Sequence, residues 1–154
     1  MTRLAEFRFL PVIGAPDLVG MATRPETANN SKPHERLTAW AACHDLVVAV
    51  YRATADWPPP ELHGLGTQAR RASVSAAANI AEGAAKRGSR EFRRYLDIAF
   101  GSLTELECLL LIARDVNVLS PAAFGELEAL RDHASRLTWG LYRAMRRAAT
   151  RQAG

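Results

Sequence analysis

The segment from Gln68 to Gly83 constrains the fold more than any other part of this chain. It is dominated by alanine and serine, with Arg70 and Arg71 adjacent near its start and Asn79 and Glu82 near its end. At helical spacing, Ala69, Ala72, Ala76, Ile80 and Gly83 fall on one inner face. Small residues let a helix approach its neighbours closely, and polar residues set among them need partners. Asn79 and Glu82 are therefore expected to be structural polar anchors, with Asn79 the more buried. Gly83 marks a weak point of the helix, and Gly88 closes the turn that follows.

Three more amphipathic segments surround this one. In the first, Leu37, Trp40, His44, Val47, Tyr51 and Thr54 recur at steps of three and four, widened by Ala41, Val48 and Ala55. Pro58, Pro59 and Pro60 end that helix, and a loop through Gly64 and Gly66 leads to Thr67 as N-cap of the second. Ser89 caps the third helix, whose seam is Phe92, Leu96, Ala99, Leu103, Leu106, Leu110 and Ala113. A second stripe on it, Tyr95, Ile98, Leu109 and Ile112, exceeds what one seam needs, so this helix is central or lies at a subunit interface. Pro121 opens the fourth helix, with Leu127, Leu130, Ala134, Leu137, Leu141, Ala144 and Ala148 inward. The expected fold is all-α: an antiparallel up-down-up-down four-helix bundle over residues 34–150. A flexible N-terminal extension over 1–33, broken by Pro11, Gly14 and Pro16, precedes it, and a tail over 151–154 follows. Translation from Met1 and translation from Met21 are both compatible with that extension.

The chain's 154 residues fit one domain, and 48% hydrophobic content is enough for a core. No apolar run reaches the length of a bilayer span, so no membrane partner is expected. Cys43 and Cys108 form no Cys-x-x-Cys pair and read as small core residues of a protein in the reducing cytoplasm. No catalytic or metal site is indicated. Glu105, Glu107, Glu126 and Glu128 lack a histidine three residues on. His44 reads as a hydrogen-bonded core histidine and His63 as a structural loop residue, and His133 lacks a ligand set. Ser73, Ser75 and Ser102 read as helix-contact residues rather than nucleophiles. Arg36 and His44 are too far apart, and Arg131 and His133 too close, for a helical ribonuclease pair. No glycine-rich phosphate loop or other cofactor signature is present.

What remains is segregated charge. Net charge is +4 and the isoelectric point is near 9.6. Arg70, Arg71, Lys86, Arg87, Arg90 and Arg94 gather about the second helix and the turn into the third, and are the candidate nucleic-acid contacts. Arg93 is set apart as a residue that can pair with the acidic helix surface. Arg131, Arg136, Arg143, Arg146, Arg147 and Arg151 populate the fourth helix and tail, whereas Asp97, Glu105, Glu107, Asp115, Glu126 and Glu128 make the middle of the last two helices acidic. Three readings follow: a noncatalytic oligomer binding RNA or DNA, a structural or protein-interaction module, and an enzyme such as a nuclease.

Several elements resemble a known family. They are Trp40, Val50-Tyr51, Trp57-Pro58, Glu61 with Gly64-Leu65, Gln68 with Arg71-Ala72, Ser75, Asn79-Ile80-Ala81-Glu82-Gly83, Ser89 with Glu91-Phe92, Tyr95-Leu96, and Ala99 with Gly101 through Glu107. Together they resemble the four-helix-bundle proteins encoded in 23S rRNA intervening sequences, a family similar in turn to the accessory variability protein of diversity-generating retroelements. The resemblance covers roughly residues 37–119. It implies an antiparallel bundle assembled as a ring-like homopentamer, without established enzymatic activity. Through the retroelement relatives it also implies RNA or DNA and a reverse transcriptase or other protein as partners. The chain departs from the pattern at His63, where an aromatic is expected, at Ala76, and in its N-terminal extension.

Overall fold

The structure, a computed structural model, describes residues 31–152. The expected extension lies almost wholly outside the described residues. A 3-10 turn, Pro33–Arg36, leads into α1, Thr38–Ala53. A short helical turn α2, Pro59–Glu61, and a π turn, Leu62–Gly66, run directly into α3, Thr67–Ala85. Two long helices follow, α4, Ser89–Asp115, and α5, Pro121–Gln152. The described residues are helical with no strand, and α5 carries helix beyond the expected boundary at residue 150.

Local chemistry explains the joints, and three differ from expectation. α1 stops at Ala53, before the prolines: the Thr54 hydroxyl donates to the Val50 carbonyl at 2.8 Å, and Trp57 tucks into the core. The prolines instead start α2, where a missing N–H costs nothing. The stretch through Gly64 and Gly66 is helical, so Thr67 is not an N-cap. Its hydroxyl donates back to the Leu62 carbonyl at 2.9 Å, and the preceding Gly66 is already in right-handed helical conformation. Ser89 likewise does not cap α4. Gly88 holds that position with φ of 96°, a conformation that favours glycine. Between α4 and α5 the chain reverses through Asn117 at φ 61°. The Ala113 carbonyl there accepts from the amides of Val118 and Leu119 at 2.9 and 3.0 Å. Ser120 then accepts the Ala123 amide at 3.2 Å, an N-cap placed just before Pro121.

Each of the four long helices packs on two others, α1 against α3 and α5, and α4 against α3 and α5. The inner face of α3 is as expected: Ala69, Ala72, Ala76, Ile80 and Gly83 are buried. So is the α4 seam from Leu96 to Ala113, with Phe92 half-buried. The α1 face is rotated from expectation. Ala39, Ala42, Cys43, Leu46 and Val50 are buried, while Trp40 and Val47 are half-buried and His44 and Tyr51 exposed. On α5, Leu127, Ala134, Ser135 and Thr138 are buried, Leu130, Leu137 and Leu141 half-buried, and Ala144 exposed. Thr138 satisfies its hydroxyl on the Ala134 carbonyl at 2.8 Å and meets the Cys43 sulfur at 4.0 Å.

Candidate nucleic-acid interface

The six candidate cations fall into two groups at opposite ends of α3. Arg70 and Lys86 are sixteen residues apart, about 24 Å along a helix. They do not form one contiguous site.

At the α3–α4 turn, Lys86, Arg87, Arg90 and Arg94 are all exposed. None takes part in an ion pair among the described residues, whose ion pairs involve only Arg114, Arg131 and Arg136. Lys86 is positioned by its own neighbour: its ammonium lies 5.4 Å from the centre of the Tyr95 ring. Arg90 and Arg94 are one helical turn apart and share a face. From Glu82 to Arg94 the chain has five cations, Lys86, Arg87, Arg90, Arg93 and Arg94, against two carboxylates, Glu82 and Glu91. Arg93 is half-buried; among the described residues it pairs with no acid, and its buried Nε has no hydrogen-bond partner.

At the other end of α3, the Arg70 Nε donates to the Thr54 hydroxyl at 2.7 Å. Its guanidinium lies over the Tyr51 ring, 4.9 Å from the centre. Arg71 beside it is exposed. The two arginines line an open cleft of about 500 Å³ together with Tyr51, Thr67, Val74 and Ser75. Sequence reasoning placed both arginines here but missed the Thr54 and Tyr51 supports, which lie on α1 or at its end.

The expected anchors separate. Asn79 is half-buried and donates to the Ser75 carbonyl at 2.8 Å and to the Ser75 hydroxyl at 3.2 Å. Ser75 meets Ser102 of α4 at 2.9 Å, so this polar chain crosses the helix interface. Glu82 is exposed and makes no hydrogen bond or ion pair among the described residues. Its position on α3 points it away from the face that carries Ile80 and Gly83.

On α5 the cations divide. Arg131 is withdrawn from any interface, its side chain only 12% exposed between Glu107 of α4, at 3.4 Å, and Glu128. Arg136 pairs with Asp132. Arg143, Arg146 and Arg147 are exposed.

His44 is exposed, which corrects its reading as a core histidine; it meets the Trp40 ring edge-on at 5.3 Å. His63 and His133 are also exposed. Cys43 is fully buried, and burial pushes its thiol up to about 11, partly offset by the Thr138 hydroxyl. Cys108, read as a core residue, is exposed. Among the described residues no group of three His, Cys, Asp or Glu side chains converges to hold a metal. No described helix is long and apolar enough to cross a membrane.

Four packed helices with exposed cations at a helix turn define a small, basic, all-helical protein. The chain belongs to the 23S rRNA-intervening sequence protein family, whose model matches residues 35–150. No curated protein matches the chain at a significant level.

Proposed function

We propose that this protein is a noncatalytic, oligomeric accessory factor that binds RNA or DNA through the α3–α4 turn. The observation that carries this reading is the exposed set Lys86, Arg87, Arg90 and Arg94, which has no carboxylate partner among the described residues. Exposed cations without a carboxylate partner are available to phosphates, and each phosphate contact releases counterions. The family's name links it to rRNA genes, which agrees with a nucleic-acid role. The reading has the four helices alternate in direction as an antiparallel up-down-up-down bundle, which the short α3–α4 and α4–α5 connections favour. It places the protein in the cytoplasm, where two free thiols are stable.

Self-association belongs to the same reading. Ile98, Phe100, Ile112 and Trp139 are 39–49% exposed on α4 and α5. Phe100 and Tyr142 flank Trp139, the latter stacked at 5.3 Å. An aromatic surface of this kind suits burial against another copy. The number five, and kinship to the retroelement protein with a reverse transcriptase as partner, rest on the family resemblance alone. A ring would repeat the basic turn and add modest contacts through avidity.

The test is titration of labelled RNA and DNA at low and near-physiological salt, with wild type and Lys86→Ala/Arg87→Ala/Arg90→Ala. Steep salt dependence, and loss of binding by a variant of unchanged oligomer mass, are expected. Absence of binding by wild type at low salt would favour the second reading, an interaction module, which the same aromatic surface supports.

A further inference from the structure

We propose that the cleft between α1 and α3 at the Arg70 end is a second binding site, built for a nucleotide: a phosphate ester carrying a planar ring. It lies about 24 Å along α3 from the basic turn and does not depend on that turn binding a strand.

Contacts among the described residues occupy some polar groups of the cleft and leave others free. The Thr67 hydroxyl hydrogen is used on the Leu62 carbonyl. The Ser75 hydroxyl is engaged by Ser102 and Asn79. Among the described residues, Arg70 spends its Nε on Thr54 but keeps both terminal amino groups, and Arg71 keeps its whole guanidinium. Because α3 continues an existing helical turn, its first amides are not a bare helix end, and recognition falls to side chains. Among the described residues no carboxylate lines the cleft. The free groups are thus two adjacent guanidinium forks, which only donate, and the Tyr51 phenol, which can donate as well; this set calls for a compact anion with several acceptor oxygens. Arg70 is already held by Thr54 and by the Tyr51 ring, so it loses little freedom on binding.

The neighbouring surface supplies the second half. Val74 lines both this cleft and an apolar one of about 210 Å³ formed with Trp40, His44, Val47, Ala77 and Ala78. Val74, Ala77 and Ala78 share one face of α3, and Val47 and Tyr51 one face of α1. The alanines leave a shallow floor, and the edge-on pair Trp40 and His44 bounds it. A phosphate at the arginines with a flat ring over Val74 matches this succession of charged and apolar surface. A simple anion would leave the apolar part uncovered. A peptide of acidic residues alone has no flat group to fill it.

Calorimetric titration of the full chain with adenosine 5′-monophosphate, adenosine, inorganic phosphate and hexaglutamate tests the proposal. The monophosphate is expected to bind at least about tenfold more tightly than each of the other three. Arg71→Ala and Arg70→Lys should each weaken it about tenfold. Should Arg70→Lys fail to fold, Arg71→Ala, at an exposed residue with no hydrogen bond or ion pair among the described residues, carries the test. Lys86→Ala/Arg87→Ala/Arg90→Ala should leave monophosphate affinity unchanged while weakening single-stranded RNA, which separates this site from the basic turn. Displacement of the monophosphate by RNA would identify residues of a strand as the ligand; binding without displacement would identify a free nucleotide. Equal affinity for adenosine, phosphate or hexaglutamate, or full affinity in folded Arg71→Ala, would overturn the proposal.

Discussion

Gly83 of α3 packs directly against Phe92 of α4. A methyl group built on the glycine would meet the Phe92 Cδ2 at 2.6 Å and the Tyr95 Cβ at 2.8 Å. The second atom sits next to backbone and has little freedom to move aside. The two helices come this close just before the turn that displays the basic residues, so Gly83 sets the base of that turn.

Gly83→Ala is therefore expected to destabilise the protein. Alanine is the better helix former by about 1 kcal/mol. Overpacking at such contacts costs about 1–3 kcal/mol and outweighs it. A lowered melting temperature is the expected result; a raised one would show that α3 and α4 separate freely at this point.

The chain Asn79, Ser75, Ser102 makes a second prediction. Asn79→Leu leaves Ser75 without the amide that donates to it and is expected to cost about 1–2 kcal/mol. Glu82→Gln, at an exposed site, is expected to change stability by less than about 0.5 kcal/mol. Denaturant unfolding of both variants measures the contrast, and equal effects would contradict the placement of these two residues.

Arg131 joins α4 to α5 through Glu107 and Glu128. Its own side chain is nearly buried, but both acids are partly solvated, which softens the loss. Arg131→Ala is expected to cost about 1–2 kcal/mol. It should leave nucleic-acid affinity unchanged, whereas Arg87→Ala should do the reverse. Parallel melting and binding measurements distinguish the two arginines.

Cys43 predicts a pH dependence. Its thiol keeps its proton in the folded state to about 11, against an ordinary value of 9.0. Between those values the unfolded chain has released the proton and the folded chain has not, so rising pH favours unfolding. The contribution is complete below pH 9.0 and declines toward pH 11, by up to about 1.4 kcal/mol per pH unit. The difference in stability between wild type and Cys43→Ala, followed across that window, isolates this group from the other titrating residues. At neutral pH Cys108 alone should react rapidly with a thiol reagent.

Much of the helical architecture was legible in the residues, because apolar periodicity is a local property of the chain. Leu96, Ala99, Leu103, Leu106, Leu110 and Ala113 repeat with one helical period and are all buried. Ser120-Pro121 likewise states a helix start in its own chemistry. On α1 the same reasoning chose the wrong face. The stripe through Trp40, His44, Val47 and Tyr51 has the larger aromatic groups, yet Ala39, Cys43, Leu46 and Val50 are inside. Both faces of that helix are apolar enough to be buried, and only the shape of the neighbouring surface decides between them. The same limit applies to the site. Sequence identified the arginines, but tertiary structure determined their circumstances: Arg131 is held by an acid from another helix, Arg70 is steadied by Thr54 and Tyr51, and the six candidate cations are divided between the two ends of α3. Proximity along the chain sets charge density. Distance along a rigid helix, and the partners that packing brings within hydrogen-bond reach, determine which charges stay available to a ligand.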